Sequence, residues 1–203
     1  MTDETRRSPD VVWQPTATSA TQRVGRATGI GVTVWLTGLS GAGKSTIAHS
    51  AERQLLDAGR VAYVLDGDNL RHGLSADLGF SAADRDENVR RVGEVAALFA
   101  DAGAVAIVAL ISPYRAARDL VRQRHQALGL NFIEVFVDTP LDECRRRDPK
   151  GLYARSAAGE LRGLSGVDDP YEPPTHPELV LSAESVSADD LASRIVVRIS
   201  SEA

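Results

Sequence analysis

The chain has 203 residues, 43% of them hydrophobic and 25% charged, enough apolar material for one buried core and too much for global disorder. Its 28 acidic and 23 basic residues give a formal charge of −5, which argues against a nucleic-acid coat or a membrane-adhesive surface but leaves room for a local basic pocket. A single cysteine, Cys144, excludes an internal disulfide framework and a multi-cysteine zinc site.

Residues 1–29, rich in Thr, Ser, Arg and Pro, show no sustained periodicity and read as a partly ordered N-terminal arm. Val11-Val12-Trp13 is its one apolar cluster, expected to pin the arm to the domain, with partner binding the alternative. A single domain is expected over 30–203. Val32 to Leu36 is a β-branched strand candidate, followed by a Gly-rich turn and a helix from Ser45 to about Ala58. Val61 to Leu65 is the next strand. Apolar residues at Val89, Val92, Val95, Ala96 and Phe99 place a helix over Asp84 to Ala102. Ala104 to Ile111 reads as a strand buried on both faces. A helix from Arg115 to about Leu128, a strand from Phe132 to Val137 and a short helix after Pro140 follow. Asp148 to Pro177 is a Gly/Pro/charged stretch, Glu178 to Leu181 a last strand, and Ser187 with Asp190 caps a C-terminal helix. Apolar strands alternating with amphipathic helices predict an α/β three-layer sandwich with a mostly parallel five-stranded sheet. The longest apolar stretch, Ala104 to Ile111, is too short for a bilayer, and Thr2-Asp3-Glu4 is unlike a basic-then-apolar leader. A soluble, cytoplasmic protein is expected, with neither nucleic acid nor membrane as partner.

Gly38, Leu39, Ser40, Gly41, Ala42, Gly43, Lys44 and Ser45 fit G-x-x-x-x-G-K-[ST] without deviation, after a strand and before a helix. The glycines let the backbone curl so that successive N–H groups face phosphate oxygens, and the helix adds its positive end. Lys44 is expected to reach the β- and γ-phosphates of ATP and the Ser45 hydroxyl to join a Mg²⁺ shell. Thr46 completes this nucleotide-binding set.

The strand ending near Ile111 carries no acid at its tip. Asp66-Gly67-Asp68-Asn69 supplies two carboxylates after the second strand, where ligands gather in parallel sheets. They read as organisers of Mg²⁺ water and as a proton acceptor, or alternatively as turn chemistry, since Asp-Gly and Asp-Asn favour turns. Arg71 and Arg85 read as binders of a doubly anionic acceptor, whereas Arg90 and Arg91 read as a solvated helix face. The four histidines have no ligand spacing and are expected on surfaces or helix faces. Cys144 is expected to be inert packing.

Several segments together resemble the adenylylsulfate (APS) kinase family over about Val32 to Leu181. They are the turn at 38–45, Leu-Asp-Gly-Asp-Asn-Leu-Arg at 65–71, Asp-Arg-Asp-Glu-Asn-Val-Arg-Arg at 84–91 and Leu-Ile-Ser-Pro-Tyr-Arg at 110–115. Val-Asp-Thr-Pro-Leu at 137–141, Lys-Gly-Leu-Tyr at 150–153 and Gly-Val-Asp-Asp-Pro-Tyr-Glu-Pro-Pro at 166–174 complete the set. The resemblance implies a P-loop kinase that moves the ATP γ-phosphoryl to the 3′-hydroxyl of APS, giving PAPS for sulfate assimilation. It implies that Asp68 handles the hydroxyl proton and Asp66 supports the metal shell. Phe80 would stack on the APS adenine, and Arg71, Arg85 and Asn88 would hold its ribose and phosphosulfate, with Ile111 beside them. Ser112 stands where bacterial relatives are assigned a phosphoserine. A positioning hydroxyl and a helix start ahead of Pro113 are equal alternatives, because no base stands beside it in sequence. Residues 148–177 resemble a mobile lid whose Lys150 approaches the reacting phosphates, and Arg147 either contacts ATP or ends a solvated helix. Leu164 replaces an aromatic that commonly pairs with the one at Phe80, so it would pack on adenine without stacking. A homodimer and association or fusion with ATP sulfurylase are further implications. Another small-molecule P-loop kinase and a non-catalytic nucleotide-binding module are the competing readings.

Overall fold

Val32–Thr37 forms β1, every residue of it buried, at the centre of the sheet. A strand buried on both faces needs continuous β-branched and apolar residues, and Val-Thr-Val-Trp-Leu-Thr supplies them. The computed structural model describes residues 29–201. The arm's Val11-Val12-Trp13 therefore lies outside the described residues.

After β1 come α1 (Lys44–Asp57), β2 (Ala62–Asp66), the one-turn α2 (Gly67–Leu70), α3 (Ala82–Asp101) and β3 (Val105–Ala109). Then follow α4 (Arg115–Ala127), β4 (Asn131–Val137), α5 (Leu141–Arg147), α6 (Leu152–Ala157), β5 (Leu179–Leu181) and α7 (Ala188–Ser200). The strand order is β2-β3-β1-β4-β5 and all four pairings are parallel, so the expected mostly parallel sheet is wholly so. Asp66 pairs in register with Ala109, and Thr37 with Phe136, so the strands' carboxyl ends share one edge.

Alternation along the strands feeds two cores. Val32, Val34, Ile107 and Val135 face Ile47, Ala48 and Leu55 of α1 and Leu191 and Ile195 of α7. Trp35, Ala106 and Val108 face Val89, Val92 and Ala96 of α3 and Val121 of α4. The predicted strand at 104–111 is shorter because the chain leaves the sheet at Leu110 to build a wall of the cleft described below. The helix α6 inside the 148–177 stretch was not anticipated: it has six residues, and only Tyr153 is buried, too little for a periodic signal. The expected C-terminal cap is present, with Asp190 N–H donating to Ser187 Oγ at 3.1 Å. Ser81 and Asp84 cap α3 reciprocally.

Gly31 marks the closest packing at the entry to β1. A Cβ there would stand 1.9 Å from the Ala100 carbonyl oxygen near the end of α3. Gly31→Ala is expected to cost about 2 kcal/mol through overpacking. In a thermal melt this should appear as a midpoint roughly 5 °C lower.

Candidate active site

The loop between β1 and α1 is braced from both sides. Thr139 Oγ1 donates to Ala42 O at 2.9 Å and Tyr153 Oη donates to Ser40 O at 2.9 Å. Gly43, at φ 106°, adopts the left-handed conformation that lets α1 begin at Lys44. Gly38 lies so close to β4 that a Cβ would stand 2.6 Å from Val137 O. The ammonium of Lys44 donates to Gly38 O at 2.9 Å and Leu39 O at 2.8 Å, arching over the loop. Burial, with Lys150 nearby, lowers its pKa to about 8.

Ser45, the next residue, donates from Oγ to Asp66 Oδ2 at 2.6 Å. The other Asp66 oxygen accepts the Asp68 N–H at 2.9 Å and caps α2. One oxygen of this carboxylate thus shapes the turn, and the other meets the serine that ends the P-loop. Asp68 projects further out, its side chain 61% exposed, and pairs with Lys150 from the 148–177 segment.

These groups line a cleft of about 510 Å³ at the carboxyl edge of the sheet. On the P-loop side Ser40, Gly41, Gly43, Lys44, Ser45 and Thr46 reach it. Arg147 lines it too, donating to Glu143 Oε1 at 2.7 Å and to Ala183 O. Opposite stand Arg71, Phe80, Arg85, Asn88, Ile111 and Ser112. Arg71 donates to Leu78 O at 3.1 Å and Gly79 O at 2.8 Å, and its guanidinium lies 4.2 Å over the Phe80 ring. Phe80 is 68% exposed, so an aromatic face stands open beside cations. Arg85 donates to Phe80 O at 3.0 Å, Ser165 Oγ at 3.0 Å and Gly163 O at 2.6 Å, tying this wall to the 148–177 segment. Asn88 lines the cleft while largely buried, and its Oδ1 has no hydrogen-bond partner.

Ser112 is buried with φ 39°, a left-handed conformation uncommon for serine. Trp35 Nε1 donates to its Oγ at 3.1 Å, and its carbonyl accepts from Arg118 at 2.6 Å and from Thr37 Oγ1 at 3.4 Å. Sequence reasoning missed Trp35 and Arg118 here. A tryptophan in an all-buried strand and an arginine on an apolar helix face were the available signals, but each needed its partner's position.

Other placements differ from expectation. Leu164 is not among the residues that line the cleft: it is 5% exposed and part of the buried core. Asp168 fixes that turn by accepting the Gly163 and Leu164 N–H groups at 2.8 and 2.7 Å. Gly38, Leu39 and Ala42 shape the loop from behind without lining the cleft. His125 lies on a helix face, one of the two expected positions, but on the inner face of α4, where it is fully buried, its ring joining Thr33 Oγ1 at 2.9 Å and Val121 O at 2.8 Å. Arg90 and Arg91 pair with Glu87, and Arg91 also with Asp77, away from the cleft, as expected of a solvated face. Cys144 is buried, and burial pushes its thiol up, in keeping with inert packing.

Among the described residues no group of three or more His, Cys, Asp or Glu side chains is placed to hold a metal. One carboxylate beside one hydroxyl next to a phosphate loop instead suits Mg²⁺, which keeps several waters and takes phosphate oxygens. Among the described residues no helix is long and apolar enough to cross a membrane.

The family model described as adenylylsulphate kinase matches residues 30–182. The chain belongs to the adenylylsulphate kinase family. It is 53% identical to adenylyl-sulfate kinase 3 of Arabidopsis thaliana over 174 residues, covering 86% of this chain and 83% of that protein. It is 51% identical to the bifunctional enzyme CysN/CysC of Mycobacterium tuberculosis over 189 residues, covering 93% of this chain but spanning only 30% of that longer protein. The structure of the Mycobacterium tuberculosis APS kinase CysC in complex with AMPPNP and APS superposes with a TM-score of 0.82 at 54% identity, covering 84% of this chain and 98% of that one.

The position of Leu164 makes a distinct demand. Leu164→Ala should open a core cavity and cost about 2–4 kcal/mol. Chemical denaturation would register this as a lower midpoint in the absence of any ligand, an effect that a side chain merely lying on a bound adenine would not produce.

Proposed function

We propose that this chain transfers the γ-phosphoryl of ATP to the 3′-hydroxyl of APS, giving PAPS and ADP in sulfate activation. One observation carries the reading: a phosphate-gripping loop and an aromatic, arginine-lined wall face each other across a single cleft, with Asp66 and Asp68 between them.

The P-loop amides and the α1 N-terminus bind the triphosphate, and Lys44 exchanges its carbonyl partners for the β- and γ-oxygens. Ser45 and Asp66 would hold Mg²⁺, which supplies charge neutralisation on the phosphates. On the facing wall the open Phe80 face stacks the acceptor adenine, while Arg71 and Arg85 take the phosphosulfate. Asn88 Oδ1 accepts from the nucleoside, and Ile111 adds apolar contact. Asp68 orients the 3′-hydroxyl and receives its proton as the oxygen attacks the γ-phosphorus. The bond from that phosphorus to the bridging oxygen breaks, and ADP leaves. Lys150, already at Asp68, lies where the transferring phosphoryl passes, and residues 148–177 act as a lid that keeps water out. Arg147 supports the nucleotide side.

Ser112 is read as a positioning residue. Its Oγ is occupied as the acceptor of an indole N–H, and none of its hydrogen-bond partners is a base that could activate it. The proposal includes a cytoplasmic homodimer and association with ATP sulfurylase. The match to a segment of a bifunctional relative is in keeping with a kinase unit joined elsewhere to a second enzyme. Residues 30–203 are taken as the kinase domain and 1–29 as its arm.

Coupled measurement of ADP release with and without APS tests the acceptor assignment: release is expected to depend on APS, and equal rates without it would refute the reading. Asp68→Ala should lower kcat by about 10² to 10⁴-fold, the usual contribution of a positioned base, while ATP binding measured by calorimetry persists. Undiminished turnover in that variant would remove Asp68 from the mechanism.

A further inference from the structure

A buried ion-pair network lies directly behind the acceptor wall. The Arg118 side chain of α4 is 1% exposed and that of Glu134 of β4 is 7% exposed, with Nε to Oε1 at 2.8 Å. Arg122 joins Glu134 Oε2 at 3.3 Å and holds Glu178, whose carboxylate accepts the Glu134 N–H at 2.6 Å. The Arg118 guanidinium thus has its charge balanced through one edge. Its two other nitrogens do different work, donating to Ser112 O at 2.6 Å and Glu172 O at 2.7 Å. Ser112 belongs to the cleft wall, and Glu172 to the end of the 148–177 segment.

Further bonds join the same two strips of chain or brace them against β1. Glu172 N–H donates to Pro113 O at 2.8 Å, and the Arg115 N–H donates to Glu172 Oε2 at 2.8 Å. Tyr171 Oη meets Thr37 Oγ1 at 3.0 Å. A planar fork with fixed donor directions can serve three acceptors at once, which a lysine ammonium cannot do at this geometry. Ser112 needs such a clamp because its backbone sits at φ 39°, a conformation that persists only when the surroundings over-determine it.

We propose that Arg118 is a positioning residue that locks the root of the lid to the strained Ser112 turn, so that lid placement and the acceptor wall are set by one guanidinium. It touches no substrate. The kinetic part of this inference rests on the functional reading above. Its structural part does not.

The test uses the full chain carrying Trp13→Phe, which leaves Trp35, the donor to Ser112 Oγ, as the only indole of the two in the sequence. Arg118→Lys is compared with Arg118→Met/Glu134→Leu, a pair that removes both buried charges together and so avoids leaving one unpaired. Three quantities are read: Trp35 emission and quencher access, amide exchange at 169–173, and the KM values for APS and ATP. Expected are a red-shifted, more accessible Trp35 and faster exchange at Glu172. The KM for APS should rise about tenfold or more, with that for ATP changed less than about twofold. Unchanged Trp35 emission and unchanged exchange in the folded double variant overturn the proposal, whatever the kinetics. If the parent releases ADP without regard to APS, it is the acceptor reading that fails, and the fluorescence and exchange arms still decide the role of Arg118.

Discussion

The 2.6 Å hydrogen bond from Ser45 to Asp66 joins the loop after β1 to the tip of β2, although β3 lies between those strands. It depends on β1, β3 and β2 running parallel. Parallel strands bring their carboxyl ends to one edge, so the loops that follow β1, β2 and β3 open into the same space. Those loops hold, in order, the phosphate cradle, the two aspartates and Ser112. One reversed strand would send one of the three to the opposite side of the sheet. The all-buried character of β1 is thus a functional requirement as well as a packing one, since the central strand aims the cradle.

Charge within the cleft is arranged to receive anions. Lys44, Arg71, Arg85, Arg147 and Lys150 line it against Asp66 and Asp68 in a protein whose formal charge is −5. Lys44 and Arg71 each donate to two backbone carbonyls, Arg85 to two carbonyls and a serine hydroxyl, Arg147 to Glu143 and a carbonyl, and Lys150 to Asp68. These contacts hold the donors at the edge of the cleft, ready for anionic oxygens. Exchanging a neutral carbonyl for an anionic oxygen then strengthens each contact without large rearrangement, which is the physical basis of preorganised electrostatic catalysis.

The 148–177 segment is more constructed than its Gly/Pro-rich composition suggests. Tyr153 braces the P-loop through Ser40 O, Asp168 caps a turn that buries Leu164, and Glu172 is held at its backbone and side chain by the Ser112–Arg118 stretch. Arg85 belongs to both sides, lining the cleft while donating to Gly163 and Ser165. A ligand that engages Arg85 would therefore also act on the 148–177 segment to which Arg85 is bonded.

Local chemistry made much of this legible from the chain alone. The G-x-x-x-x-G-K-S spacing, the apolar run of β1, the Ser187–Asp190 cap and the paired aspartates after β2 each depend on neighbours within a few residues, so their types and spacing suffice to place the strands, the cradle and Asp66 with Asp68. What tertiary structure alone decided involves partners far apart in sequence. Leu164 looked like a ligand contact until the Asp168 turn carried it into the core, and the choice between a surface and a helix face for His125 was settled only when Thr33 supplied its second partner from 92 positions away. Arg118 gained its meaning only when Ser112, Glu134 and Glu172 converged on one guanidinium. A side chain's propensity is written in its own residue type, but its burial and its bonds are set by whatever the fold packs against it.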